Sequence, residues 1–416
     1  MKHLITFLLM LCMFITGEVL AGGFQINKHG ARPMAMGGAY TALARDVSAL
    51  YFNPAGLIYS PGLQMSLGTT IIAPSASFRG PSPSIAESKT VSKLFTPSHF
   101  YISKKMTDDW ALGFAFNNPF GLGTEWEPDW VGRFITVKTD LKVYSFTPAA
   151  SFRLSDKLSF GLGFQFNYAT VEIVRKLNLY PFNAEATVSL EGNYTFGFGF
   201  NAGLMYSPTE NLTIAASYRS PVKHKFRGDA NTTAPAQFTG RVPTGTISAE
   251  LTTPGQIVGG IAVMPSKALT ISADFQYVFW SSYDTLKVVF DNPAFPSSAA
   301  PRMYQDTWIG RIGAEYKVSD QLALRAGFSY DKNPVKDEYL DPLLPSSDRF
   351  GFSGGIGYKL TENFNLDLSY LYFRFNQRTV TNSLISYSGN PGFAPVNGTY
   401  NASANLFAIT FSYRFN

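Results

Sequence analysis

Few residues in this 416-residue chain have types and spacings that could do chemistry, and they lie far apart. His29, His99 and His224 are spread along the sequence, and none has a nucleophile and an orienting partner at catalytic spacing. The single cysteine, Cys12, sits inside an N-terminal apolar run, so the chain beyond it has no thiol for a nucleophile, a disulfide or a metal. No enzyme, metal or cofactor chemistry is expected. Cations offer more. In "NLTIAASYRSPVKHKFRGD", Leu212, Ile214, Ala216 and Tyr218 alternate on one face. Continuing that parity puts Arg219, Lys223, Lys225 and Arg227 on the other face and turns His224 outward. Arg311 and Arg325 fall on inner faces by the same count. Such cations could hold a carboxylate or draw an anion inward. They could equally pair with Asp274, Glu315 and Asp367, which are inward by parity, and that pairing is expected for Arg311 and Arg325. For Lys223 to Arg227, contact with lipopolysaccharide phosphates is a third reading.

The elements that must position these groups are strands. In "LSFGLGFQFNY", Leu158, Phe160, Leu162, Phe164, Phe166 and Tyr168 share one face, and Ser159, Gly161, Gly163, Gln165 and Asn167 share the other. "YTFGFGFNAGLMY" and "LFAITFSYRFN" repeat the pattern. Bulky apolar residues on one side and small or polar ones on the other suit lipid outside and a lumen inside. A soluble sandwich would expose Lys and Glu where this chain has Gly, Asn and Ser. Charged residues make up only 15% of the chain and aromatic residues 15%. No apolar run is long enough for a membrane helix, so a closed barrel is the remaining way into lipid. Six short polar turns recur, at Asp108, Asp156, Thr209, Ser266, Asp320 and Glu362, with longer Pro/Ser/Gly-rich segments between them. With both barrel ends on the short-turn, periplasmic side, the count is about 14 antiparallel strands. Tyr168, Tyr206, Trp280, Tyr316 and Tyr370 fit an interfacial girdle. The net charge of +5 is scattered among strands and does not point to nucleic acid.

Residues 1–21 read as a secretory signal peptide: Lys2 and His3, an apolar run from Leu4 to Ile15, and Val19-Leu20-Ala21 before the cut. Residues 22–61 do not alternate. They are rich in Gly and Ala, with a short helix expected from Asp46 to Leu50, stopped by Pro54. Lying between the signal and a barrel of residues 62–416, they are expected to fold into the lumen as a plug, or hatch. In "FAFNNPFGLG", Pro119 cannot donate to a ladder and Gly121 weakens packing, so a bulge or kink is expected at Asn118, Pro119, Phe120 and Gly121. Pro119 could instead simply begin an extracellular loop.

"MAMGGAYTALARDVSALYFNPAGL", "NNPFGLGTEWEPDWVGRF", "LKVYSFTPAASFRLSDKLSFGLG", "SYRSPVKHKFRGD" and "LRAGFSYDKNPVKDE" resemble, in order and across the chain, the FadL family of outer-membrane transporters for long-chain fatty acids and other hydrophobic compounds. The resemblance implies a 14-stranded barrel, a hatch bearing Asn53-Pro54-Ala55, and passive uptake of hydrophobic molecules. It also implies lateral release to the bilayer at the kinked strand. Leaving an apolar pocket is the hard step, so a hatch rearrangement that weakens binding is expected, with Asn53, Pro54 and Ala55 as the candidate hinge. Fatty acids are the favoured cargo. Aromatic hydrocarbons, or polar solutes through an open porin, are the alternatives. The expected setting is the Gram-negative outer membrane, as a monomer among lipid and lipopolysaccharide. The final residue departs from the pattern, since Asn416 follows Phe415 where such barrels end on an aromatic residue.

Overall fold

In the computed structural model, the residues described are 23–194, 196–386 and 395–415. The signal peptide and Asn416 lie outside them. The alternating segments form a wall of fourteen antiparallel strands. The first five are β1 (Leu63–Arg79), β2 (Glu87–Lys89 and Ser98–Lys105), β3 (Trp110–Glu125), β4 (Lys138–Ser155) and β5 (Leu158–Asn178). Five strands in two pieces follow: β6 (Glu185–Tyr194, Gly197–Thr209), β7 (Leu212–Arg219, Val222–Thr233), β8 (Gly245–Thr253, Gln256–Val263), β9 (Leu269–Val278, Thr285–Phe290) and β10 (Ser298–Pro301, Thr307–Lys317). The last four are β11 (Leu322–Asp331), β12 (Arg349–Thr361), β13 (Phe364–Phe375, Arg378–Val380) and β14 (Gly398–Phe415). β14 pairs back onto β1 from Leu63↔Phe415 to Arg79↔Thr399, so the sheet closes into a ring.

The period-two pattern explains which way each strand faces. On β5, Ser159, Gly161, Gly163, Gln165 and Asn167 are buried inward, while Leu162 and Phe164 stay about half exposed on the outside. Phe198, Phe275, Phe352 and Phe407 are exposed in the same way, as a lipid-facing belt requires.

Two departures from a plain cylinder matter. The lower pieces of β7 to β10 end along one register row, Arg219, Gln256, Val278 and Thr307. β6 breaks beside them, with Tyr194 opposite Phe226 and Asn201 opposite Arg219. Pro221 and Pro254 cause part of this crease, because neither can donate to a ladder. Above it the upper pieces pair only among themselves and with β5. The second departure is a bulge in β3, where the pairing with β4 slips between Asn117 and Phe120.

Residues 23–61 lie inside the ring and are almost all buried. They hold two short helices, α1 (Ala31–Ala35) and α2 (Ala49–Phe52), and a 3-10 turn, Pro54–Tyr59. The helix expected at Asp46–Leu50 is thus displaced to Ala49–Phe52, and α1 had no periodic signal at five residues. Pro54 both stops α2 and opens the next turn, where its missing N–H costs nothing.

Candidate functional site

The bulge of β3 is where the N-terminal segment meets the wall. Pairing of β3 with β2 stops at Phe100↔Phe116. Above that point β3 pairs with the chain's own N-terminal segment: Ile26 N–H donates to the Pro119 carbonyl at 2.9 Å, and Gly121 N–H to the Phe24 carbonyl at 2.9 Å. Asn118 spans the break. Its Oδ1 accepts from the Ser98 amide on β2 at 3.2 Å, and its Nδ2 donates to the Val143 carbonyl on β4 at 3.3 Å. A β2–β3 contact returns higher up, at Thr90↔Trp126. Between these two points, no β2–β3 bridge is found among the described residues. His29 sits behind the bulge against Tyr51, with ring centroids 4.4 Å apart. Burial pulls its pKa down to about 3, helped by His99 and Arg219 nearby, so it is neutral there.

An apolar cavity of about 80 Å³ lies above the N-terminal segment and under the upper pieces. Leu141, Val171, Phe226, Leu251, Val288 and Leu344 are among its walls. Phe24 forms its inner end and packs edge-on against Trp280 at 4.9 Å and Tyr283 at 5.4 Å. One corner is polar. Arg302, only 6% exposed, pairs with Asp341 beside Tyr283 and Tyr304, and its Nε has no hydrogen-bond partner among the described residues. A groove opening to the extracellular side shares Arg302, Asp341 and Leu343 with the cavity, and adds Arg175, Leu384 and Ile385.

Asn53 fixes the turn below. Its Oδ1 accepts from Ala55 N–H at 3.1 Å, and its Nδ2 donates to the carbonyls of Thr41 at 3.2 Å and Leu204 at 3.1 Å. The Ala55 carbonyl accepts from Ser151 Oγ and Ser159 Oγ. The wall leaves room only because glycine faces the motif. A Cβ on Gly203 would lie 1.9 Å from Asn53 Oδ1, and one on Gly161 2.2 Å from the Pro54 carbonyl carbon.

The sequence-derived cations divide into two groups. Arg219, Arg311 and Arg325 point inward. Arg219 donates to the Tyr51 carbonyl at 2.8 Å, Arg311 to Gln276, and Arg325 bridges Glu315 at 2.6 Å and Asp367 at 2.5 Å. Arg32 of α1 joins this network through Glu315 at 2.9 Å and Asp46 at 3.2 Å. Lys223, Lys225 and Arg227 point outward, against expectation, and His224 and Phe226 are buried inward. The cause is the crease: Arg219 and Ser220 are both buried, so the alternation slips by one residue before Pro221. Lys223 instead pairs with Glu250 and Arg227 with Asp291 on the outer surface. Arg302, Asp341 and Phe24 were not foreseen, because all three lie outside alternating segments. The residue signal available for Arg302 was an arginine in an otherwise uncharged Pro/Ser/Ala stretch.

The chain matches, over residues 12–415, the family described as outer membrane protein transport protein (OMPP1/FadL/TodX). It belongs to that family. Curated relatives include a long-chain fatty acid transport protein of Salmonella typhi, 25% identical with 96% of each chain covered. Outer membrane protein P1 of Haemophilus influenzae is 26% identical over 97% of each. Among solved structures, a Pseudomonas aeruginosa FadL homologue superposes with a TM-score of 0.86 at 21% identity, covering 95% of this chain and 100% of its own. The Pseudomonas putida toluene transporter TodX gives 0.74 at 20% identity, with 94% and 99% covered. These two likenesses concern the fold. The protein is an outer-membrane channel for hydrophobic compounds.

Proposed function

We propose that the channel takes up long-chain fatty acids and releases them sideways into the membrane. The observation that carries this is an apolar cavity with one buried guanidinium, Arg302, whose Nε–H has no partner among the described residues. Burying an arginine is costly even beside Asp341. A hydrocarbon offers that donor nothing, whereas a carboxylate oxygen forms a charge-assisted hydrogen bond with it. Arg219 and Arg311 are further head-group candidates deeper in the lumen; Arg325 is taken up by its carboxylates. The lumen filled by residues 23–61 argues against a porin for polar solutes. His29 and His99 lie among aromatic rings, which favours a carrier of cargo over an enzyme.

Release is the hard step. Each buried methylene is worth roughly 0.8 kcal/mol, so a 14-methylene chain leaving for water would lose about 11 kcal/mol. Moving from cavity to lipid avoids that loss. Asn118, Pro119, Phe120 and Gly121 are the proposed exit, since the ladder to β2 is missing beside them. Residues 22–61 act as the hatch, Phe24 to Ile26 as the stopper of that exit, and Asn53, Pro54 and Ala55 as the hinge. Residues 1–21 direct export. The route lies within one chain, so a monomer suffices.

Uptake by whole cells of a radiolabelled C16 fatty acid and of toluene, with wild type and Arg302→Met, tests the cargo. Acid uptake is expected to fall about tenfold with toluene uptake unchanged, the value of one charge-assisted contact. Undiminished acid uptake would refute the assignment and favour hydrocarbon cargo, to which the rings of Phe24, Trp280 and Tyr283 are also suited.

A further inference from the structure

The cations that turn outward at the crease form a surface of their own. On the extracellular halves of β7, β8 and β9, Lys225 is the register partner of Glu250, and Lys287 precedes Val288, the partner of Ala249, so the three residues lie in neighbouring strands at one height. All three side chains are exposed. Lys223, one step lower on β7, reaches the same carboxylate at 2.6 Å. Glu250 thus pairs with Lys223, while Lys225 and Lys287 have no ion pair among the described residues, leaving two positive charges on an outward face. The charges are sorted by height. Just below the cluster the outward residues are Tyr218, Ile257, Tyr277 and Phe279, the rings and aliphatic groups of the lipid belt. Above it the outward residues turn acidic: Glu191 opposite Asp229, with Asp291 beside them pairing Arg227. The basic rows thus occupy the one layer between acyl chains and the acidic rim.

We infer that this face docks the phosphate of an outer-leaflet glycolipid of the lipid A type, with its acyl chains against the aromatic belt. A phosphate near two net charges is held by charge-assisted hydrogen bonds in a half-desolvated setting. A free anion has no acyl chains to use the belt below. Spacing across the sheet suits a single bulky anionic group: neighbouring strands lie about 4.8 Å apart, so Lys225 and Lys287 stand two spacings from each other.

The test uses purified full-length protein in detergent, with lipid A, with enzymatically dephosphorylated lipid A and with inorganic phosphate as probes. Wild type is expected to bind lipid A about tenfold tighter than the dephosphorylated form, a margin that the K223Q/K225Q/K287Q variant loses. Folding of the variant is checked by its heat-modifiable electrophoretic mobility. E250Q, which frees a third positive charge, is expected to bind lipid A more tightly. Millimolar inorganic phosphate is expected not to displace the lipid. The proposal is overturned if the folded triple variant binds like wild type, if dephosphorylated lipid A binds equally well, if E250Q weakens binding, or if inorganic phosphate competes fully.

Discussion

At the scale of single residues, the wall and the plug are cut to each other at Asn53. Its amide joins three backbone groups, on the plug and on β6, and is fully buried. Asn53→Ala is expected to leave the Thr41 and Leu204 carbonyls short of a donor and to loosen the segment by about 1–3 kcal/mol. The measurable outcome is a rise in ion conductance across planar bilayers, with unchanged heat-modifiable mobility because the wall is intact. A variant as tight to ions as the wild type would show that the neighbouring contacts hold the segment alone. The importance of Asn53 could be drawn from a motif. Its partners could not, because Gly203 and Gly161 stand in the sequence as ordinary small inward residues. Arg302 shows the opposite limit: it lies in no periodic stretch, so its burial was invisible until loops were in place.

At the scale of elements, period two was legible wherever a strand ran unbroken, as on β5. It failed where the backbone slips. One uncounted residue at Ser220–Pro221 reversed the facing of everything from Lys223 to Arg227, since a one-residue shift moves every side chain to the other face. The proline told of a break but not of its parity. The bulge of β3 was better marked, by Asn118-Pro119 before two spaced glycines, while its partner, the strand-like pairing of Phe24 to Ile26, carried no signal. Deleting Pro119 would remove the extra residue and let β3 continue its ladder to β2 beyond Phe116. Uptake is then expected to fall at least tenfold at unchanged cavity binding, if the exit is worth more than about 1.4 kcal/mol of barrier. Ligand binding by fluorescence and uptake by cells, measured on the same variant, separate the two. Equal uptake would show that cargo leaves by another way.

At the scale of the whole molecule, strand number, closure and the inward segment followed from turns and alternation, and the site did not, because it is assembled from loops and strand tops far apart in sequence. The ring is a two-storey structure. Residues 23–61 bind the lower storey: Leu204 on β6, Arg219 on β7, Asp274 on β9, Glu315 on β10 and Ser353 on β12. The cavity belongs to the upper storey. Limited proteolysis of intact cells, cutting the outer loops, is therefore expected to abolish ligand binding and still leave the clipped protein sealed to ions. A clipped protein that conducts would show the storeys to be coupled. The crease thus separates what a cell exposes to antibodies, phages and proteases from what guards its permeability: damage to the receiving end can disarm the channel without making the envelope leak.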